Sequence, residues 1–282
     1  MSSEFVQKQK IWKEQLSGKD RHAIWNRVCD IFTYDSIWRT YNEARNVSHE
    51  ANRSNTGLAG WMIKVLDEGF FCLQVFELSK LIEKNWDNPQ KHIYSIRRLF
   101  DEIKEYADLF TREAYVTFDG ISYEEKQGEN PRCEFTRNYR HGKYDIISSV
   151  PEADRDKKDK LHSAYLERIE KEFKVFDNLE IYRHKYLAHA ADPVNRSDDI
   201  LSEITLAYFD KCYQSLIRIG KMIEILFVDE ILLCEPPIFQ YDVLENWDKP
   251  AIASCDMPKL REFWDNRLEE ITRWNENANM MT

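Results

Sequence analysis

Apolar residues return at intervals of three and four along most of this chain, the period of helices that bury one face. The longest run is Leu161, Tyr165, Ile169, Phe173, Phe176, Leu179, Tyr182 and Tyr186. It predicts a helix over about 156–191, stopped by Pro193. Ile24, Val28, Ile31, Phe32, Trp38 and Tyr41 predict one broken helix or two between Asp20 and Asn52, and Asn52 to Gly57 is turn chemistry. Trp61, Val65, Leu66, Phe70, Leu73, Phe76 and Leu81 mark a long apolar-rich helix over 58–84, in which Gly69 costs about 1 kcal/mol relative to alanine. Asn88-Pro89 opens the next helix, because proline is tolerated in a first turn. Ile93, Ile96, Phe100, Ile103, Ala107 and Phe110 carry that helix to about Thr111. Leu201, Ile204, Tyr208, Cys212, Ile219, Ile223 and Leu226 stripe another over about 199–230, and shorter helices are expected at 4–16 and 257–275.

Between 113 and 157 this pattern lapses. Tyr115 to Tyr123 alternates around Asp119-Gly120, a small hairpin signal, and the remainder is polar with Gly128, Pro131, Gly142 and Pro151. The segment reads as an irregular insertion, too long for a connector and so either functional or mobile. The fold expected is all-α: an antiparallel bundle over residues 1–234, built on the helices at 58–84, 88–111, 156–191 and 199–230. Residues 235–282 form a C-terminal helical extension packing on it.

Composition narrows the setting. With 282 residues, 43% hydrophobic and 13% aromatic, the chain can fill one large core or two modest ones. No run approaches the roughly 18 apolar residues of a membrane span, so none is expected. The first residues lack a basic-then-apolar signal pattern, which makes the cytoplasm the expected compartment. None of the six cysteines forms a Cys-x-x-Cys pair, and free thiols are the default there. A net charge of −10 argues against a generic nucleic-acid coat, because non-specific affinity comes mainly from Lys and Arg neutralising phosphates. It leaves room for a small cationic cleft. Basic residues cluster at Arg137, Arg140, His141 and Lys143, which read as a solvated patch, and at Arg183, His184 and Lys185.

The second cluster carries the candidate chemistry. Arg183 follows Leu179 by four and His189 follows Tyr186 by three, so both polar residues continue the apolar stripe. In an ideal helix they stand roughly 9 Å apart along the axis and about 60° to either side of Tyr186. His184 then points nearly opposite Tyr186, towards solvent, and Lys185 sideways. Arginine is seldom buried without an anionic partner. One reading supplies that partner internally, from a core carboxylate such as Glu68 or Glu77, with His189 capping the helix C-terminus. The other supplies it from a bound ligand. Tyr186 either packs in the core or stacks on a base. His184 and His189 are five apart, the wrong spacing for two metal ligands on one helical face, and no metal is expected.

The phrase YRHKYLAHA (182–190) resembles the working motif of the HEPN superfamily, an arginine, four to six residues, then a histidine. It is especially similar to the branch that includes phage abortive-infection proteins. His184 occupies the position after the arginine where that family carries Asn, Asp or His. The resemblance implies a four- or five-helix bundle over about residues 20–230. It further implies a metal-independent, cofactor-free endoribonuclease acting as a toxin or phage-defence effector, with two motif helices of a homodimer facing one cleft. By the same resemblance Arg183 binds phosphate, His189 is general acid/base and His184 is the adjacent polar member; Lys185 and Tyr186, between them in the chain, are the candidate RNA contacts. An antitoxin partner such as a nucleotidyltransferase is also implied, or a module that binds RNA, nucleotide or protein without cutting. The chemistry fits the residue types. RNA carries its own 2′-hydroxyl nucleophile, an imidazole near its ordinary pKa exchanges that proton, and a guanidinium neutralises charge on the phosphorane oxygens.

Overall fold

A computed structural model of the chain describes residues 3–50, 60–84, 93–124, 130–188 and 204–228, with isolated positions between 245 and 266. By compactness the chain divides into two units, Met1–Ser54 with Ala59–Pro237, and Asn55–Leu58 with Ile238–Thr282. The expected turn at 52–57, the Asn88-Pro89 helix start, Pro193 and most of the 257–275 helix lie outside the described residues, as does the expected packing of the extension.

The described residues of the first unit form an all-helical bundle. Its helices are α1 (Ser3–Ser17), α2 (Ile24–Glu50), α3 (Gly60–Ile82), α4 (Ile96–Glu105), α5 (Arg112–Val116), α6 (Pro131–Ser148), α7 (Ser163–Phe173), α8 (Asp177–Tyr182) and α9 (Leu206–Leu226). Side-chain oxygens cap several starts, as helix N-termini require. Ser95, Thr111 and Thr205 accept from backbone N–H groups of α4, α5 and α9, and Asn130 does so immediately before Pro131 of α6. Where one broken helix or two were expected, the described residues form a single helix α2, Ile24–Glu50.

One core joins these elements. Trp12 and Leu16 of α1, Ile31 of α2, Leu78 of α3, Phe100 of α4, Ile169 of α7 and Phe209 and Ile219 of α9 are all buried in it. Trp12 stacks on Phe110 with ring centroids 5.9 Å apart and donates its indole N–H to Glu102 at 2.9 Å. Tyr213 ties three helices: its hydroxyl lies 3.1 Å from Asp35 and 3.0 Å from Gln74. The C-terminal carbonyls of α9 are also satisfied by side chains. Gln9 donates to Leu226 O at 3.0 Å, Tyr115 to Ile225 O at 2.7 Å, and Lys143 to Phe227 O at 2.8 Å.

The 113–157 segment departs from expectation. No hairpin forms at 115–123: Arg112–Val116 is helical, and Gly120 takes a positive φ of 89° in the turn after it. Residues 131–148 form the regular helix α6. Its buried face is Arg137, Arg140, His141, Tyr144, Ile147 and Ser148, spaced as a helix requires but largely polar, which hid the period from a hydrophobicity reading. Nor are these cations a solvated patch. Arg140 donates to Val116 O at 3.0 Å and to Asp119 at 2.7 Å, and Arg137 to Glu124 O at 3.4 Å. Arg112, with no exposed surface, is the centre. Its Nε reaches Asp159 at 2.6 Å, its Nη1 Asp145 at 2.6 Å, its Nη2 Ser148 Oγ at 3.1 Å, and its plane lies over the Tyr144 ring. Burial alone would raise the Asp145 carboxyl, but Arg155 and Arg112 outweigh it and hold it below the usual range.

The motif helix also differs from a single rod over 156–191. It starts at Ser163, because residues 156–162 are a turn in which Asp156 accepts from Lys158 N–H and His162 caps Ala164 N–H. A 3-10 turn, Lys174–Phe176, separates α7 from α8. Side chains three apart eclipse in such a turn, which aligns the buried Phe173 and Phe176. Apolar residues lie on every side of helix α3, so period alone could not choose its buried face. Phe70, Val75, Leu78 and Leu81 enter the core, while Trp61, Val65, Leu66, Leu73 and Phe76 are exposed.

Two stability predictions follow from α5 and α6. Replacing Arg112 by Met strands Asp159 and weakens the hold on Asp145, which should destabilise the fold by about 3–5 kcal/mol in urea unfolding followed by circular dichroism. His141 is buried, its Nδ1 has no hydrogen-bond partner among the described residues, and its ring packs edge-on to Tyr123. Desolvation and the nearby Arg155 lower its pKa. The unfolded imidazole takes up a proton near pH 6.5 and the folded one only below that, so its contribution to stability is lost as pH falls through that window. The thermal midpoint should therefore drop on acidification from about pH 7.5 to 5.5, and His141→Phe should flatten that slope.

Candidate functional site

The residues Arg183–Ala188, which carry most of the motif, form a π-helical turn. Such i→i+5 turns are rare and tend to occur at functional positions. Here the wide turn follows directly on α8 and packs against α3. On its inner side Tyr182 and Tyr186 stack with ring centroids 5.1 Å apart and an interplanar angle of 23°. Both rings are half-buried, and desolvation raises the Tyr182 hydroxyl's pKa.

Arg183 and His184 face the C-terminal end of α3. Together with Ser79, Ile82, Glu83, Lys84 and Glu180 they line a pocket of about 220 Å³. Arg183 Nη1 lies 3.8 Å from Glu83, with only 18% of the arginine side chain exposed. Arg183 Nη2 lies 3.2 Å from His184 Nε2. The carboxylate that meets Arg183 is therefore Glu83. The two candidates Glu68 and Glu77 are engaged elsewhere, with Lys64 at 3.7 Å and with Arg27 and Lys80 at 3.5 and 2.5 Å. His184 is exposed, as its helical angle requires, yet the wide turn lets its ring lie against the guanidinium. Lys185 is half-buried. His189 lies outside the described residues.

The hydroxyl of Ser79, on the pocket wall, is buried and has no hydrogen-bond partner among the described residues. Buried hydroxyls normally have one. Nothing in the hydrophobic period singled this serine out; only the approach of α3 to the π turn brings it to Arg183. The pocket is small against the roughly 300–1,000 Å³ typical of small-molecule sites, a size suited to a phosphate rather than a whole nucleotide. It shares Glu83 with a larger cleft of about 940 Å³, whose lining includes Arg21, His22, Arg27, Tyr34, Lys80 and Tyr94. That cleft also carries Asp20, Asp30 and Glu77, so its cations are matched by carboxylates.

Among the described residues no group of three or more His, Cys, Asp and Glu side chains is placed to hold a metal ion, and no helix is long and apolar enough to cross a membrane. No protein-family model matches the chain, and neither a curated protein nor a solved structure matches it.

The arrangement makes Glu83 a competitor for any anion that approaches Arg183. Glu83→Gln should remove that competition, so that any affinity of the chain for a fluorescently labelled single-stranded RNA rises by up to about fivefold, the worth of a long, partly buried ion pair. Fluorescence anisotropy at two salt concentrations measures it, and the gain should shrink at the higher salt.

Proposed function

We propose that this chain is a metal-independent endoribonuclease of the HEPN type, acting as a toxin or phage-defence effector in the cytoplasm, with an active site shared across a homodimer. The observation that carries the reading is the π turn at Arg183–Ala188, which sets the Arg183 guanidinium, with the His184 imidazole against it, on the wall of a small pocket. Arg183 binds the scissile phosphate and stabilises charge on its oxygens. His189 accepts the 2′-hydroxyl proton or returns one to the leaving oxygen. His184 orients Arg183, and Lys185 and Tyr186 hold the flanking RNA. One Arg/His pair is a thin catalytic set, which is the reason for invoking a second copy.

A second reading is a module of the same type that binds RNA, nucleotide or a partner antitoxin without cutting. It is favoured by the Glu83 carboxylate, which already faces Arg183 and would have to be displaced by a phosphate.

Labelled RNA incubated with the purified protein in excess chelator separates the two. The nuclease reading expects cleavage leaving a cyclic phosphate, reduced at least about 100-fold by Arg183→Ala or His189→Ala. His184→Ala should lower the rate less. Binding with no cleavage of a broad RNA pool would favour the second reading.

A further inference from the structure

We infer that the Ser79 hydroxyl donates to the anion that Arg183 binds, so that α3 and the π turn hold one phosphoryl group between them. The inference rests on the phosphate-binding role proposed for Arg183 and names the residue that completes it. It does not require that RNA be cut.

Ser79 stands apart from other hydroxyls in or at the ends of these helices. Ser17, Ser36, Thr40, Thr117 and Thr136 each donate to the carbonyl four residues upstream, at 2.7 to 3.3 Å. That bond is the local solution for a hydroxyl on a helix. Ser79 lies inside α3 and is only 3% exposed, yet its Oγ makes neither this bond nor any other among the described residues. A buried hydroxyl in this state costs stability that a bound acceptor offsets.

The acceptor's chemistry follows from the other walls. Ser79 and Glu83 are four apart, so they share one face of α3 with roughly 6 Å between Cβ atoms. Arg183 meets the Glu83 end at 3.8 Å, too long for a hydrogen bond. A tetrahedral phosphate accepts on several sides at roughly 2.8 Å each, and so reaches the serine and the guanidinium together. Lys84, exposed on the same pocket, adds a second positive charge against Glu83 and Glu180. A metal cation would instead face Arg183 and Lys84. Free phosphate and an internal phosphodiester of RNA both carry the required group, and a pocket of about 220 Å³ has room for it.

Isothermal titration calorimetry of the full chain tests the inference with two probes. One is inorganic phosphate. The other is a 2′-O-methylated uridine dinucleotide, whose single phosphodiester cannot be cut. Wild type should bind at least one of them with a millimolar Kd or tighter, and which one identifies the source of the phosphoryl group. Ser79→Ala should weaken that binding by at least about tenfold, the reach of a hydrogen bond to a charged acceptor. Lys64→Ala, near the other end of α3, should not change it. Without ligand, the thermal midpoint of Ser79→Ala should equal or exceed that of wild type, because the lost hydroxyl had no internal partner. The inference is overturned if wild type binds neither probe at about 10 mM. It is also overturned if Ser79→Ala binds as wild type does, or lowers the ligand-free midpoint with affinity unchanged. RNA left uncut by a protein whose probe binding needs Ser79 refutes the nuclease reading alone. Cleavage by a protein whose probe binding ignores Ser79 refutes this inference alone.

Discussion

The buried guanidinium of Arg112 organises the half of the bundle that hydrophobicity leaves unspecified. A charge with no exposed surface is tolerable only when every donor direction meets an acceptor. Arg112 meets Asp159, Asp145, Ser148 and the His141 carbonyl, and in doing so joins α5, α6 and the turn before α7. The backbone repeats the connection: Arg112 N–H and Glu113 N–H donate to the carbonyls of Asp159 and Lys157, at 2.9 and 3.0 Å. That turn leads straight into α7, which starts at Ser163, and α8 and the π turn follow it. The ion cluster thus anchors the start of the helix that leads to the candidate pocket, without lining that pocket.

Arg112 and Arg183 show one chemistry in two settings. Arg112 is saturated by short contacts and serves architecture. Arg183 has a carboxylate at 3.8 Å and an imidazole at 3.2 Å, longer and looser contacts on the wall of a pocket. An incoming phosphate can improve on those and could not improve on the contacts of Arg112. The same comparison explains why the basic cluster on α6 is an unpromising anion site despite its density. Arg137 and Arg140 already donate to carbonyls and a carboxylate that close the segment between α5 and α6, and Lys143 to the carbonyl of Phe227 at the end of α9.

The helix leading to the pocket is neither uniform nor irregular. Tightening at Lys174–Phe176 aligns Phe173 with Phe176, and widening at Arg183–Ala188 follows one short helix later. Ideal-helix angles therefore describe its buried stripe well up to Phe173 and less well at the motif. The placement of His184 against Arg183 is a consequence of that departure.

The helical class, the approximate places of α1, α2, α3, α4, α7 and α9, and the prominence of Arg183 and His184 were legible in the sequence, because apolar period and breaker residues are local properties. Helix α6 was marked only by Asn130-Pro131 at its start, since buried arginines carry the period that apolar residues carry elsewhere. Other features were decided by tertiary structure alone. Which face of α3 enters the core depends on α2 and α9, and the choice of Glu83 rather than Glu68 or Glu77 as the partner of Arg183, with the meeting of Ser79 and the π turn, depends on residues roughly a hundred positions apart. No spacing within one segment encodes such distances, so only the packing of α3 on α2, α9 and the motif helix could settle them.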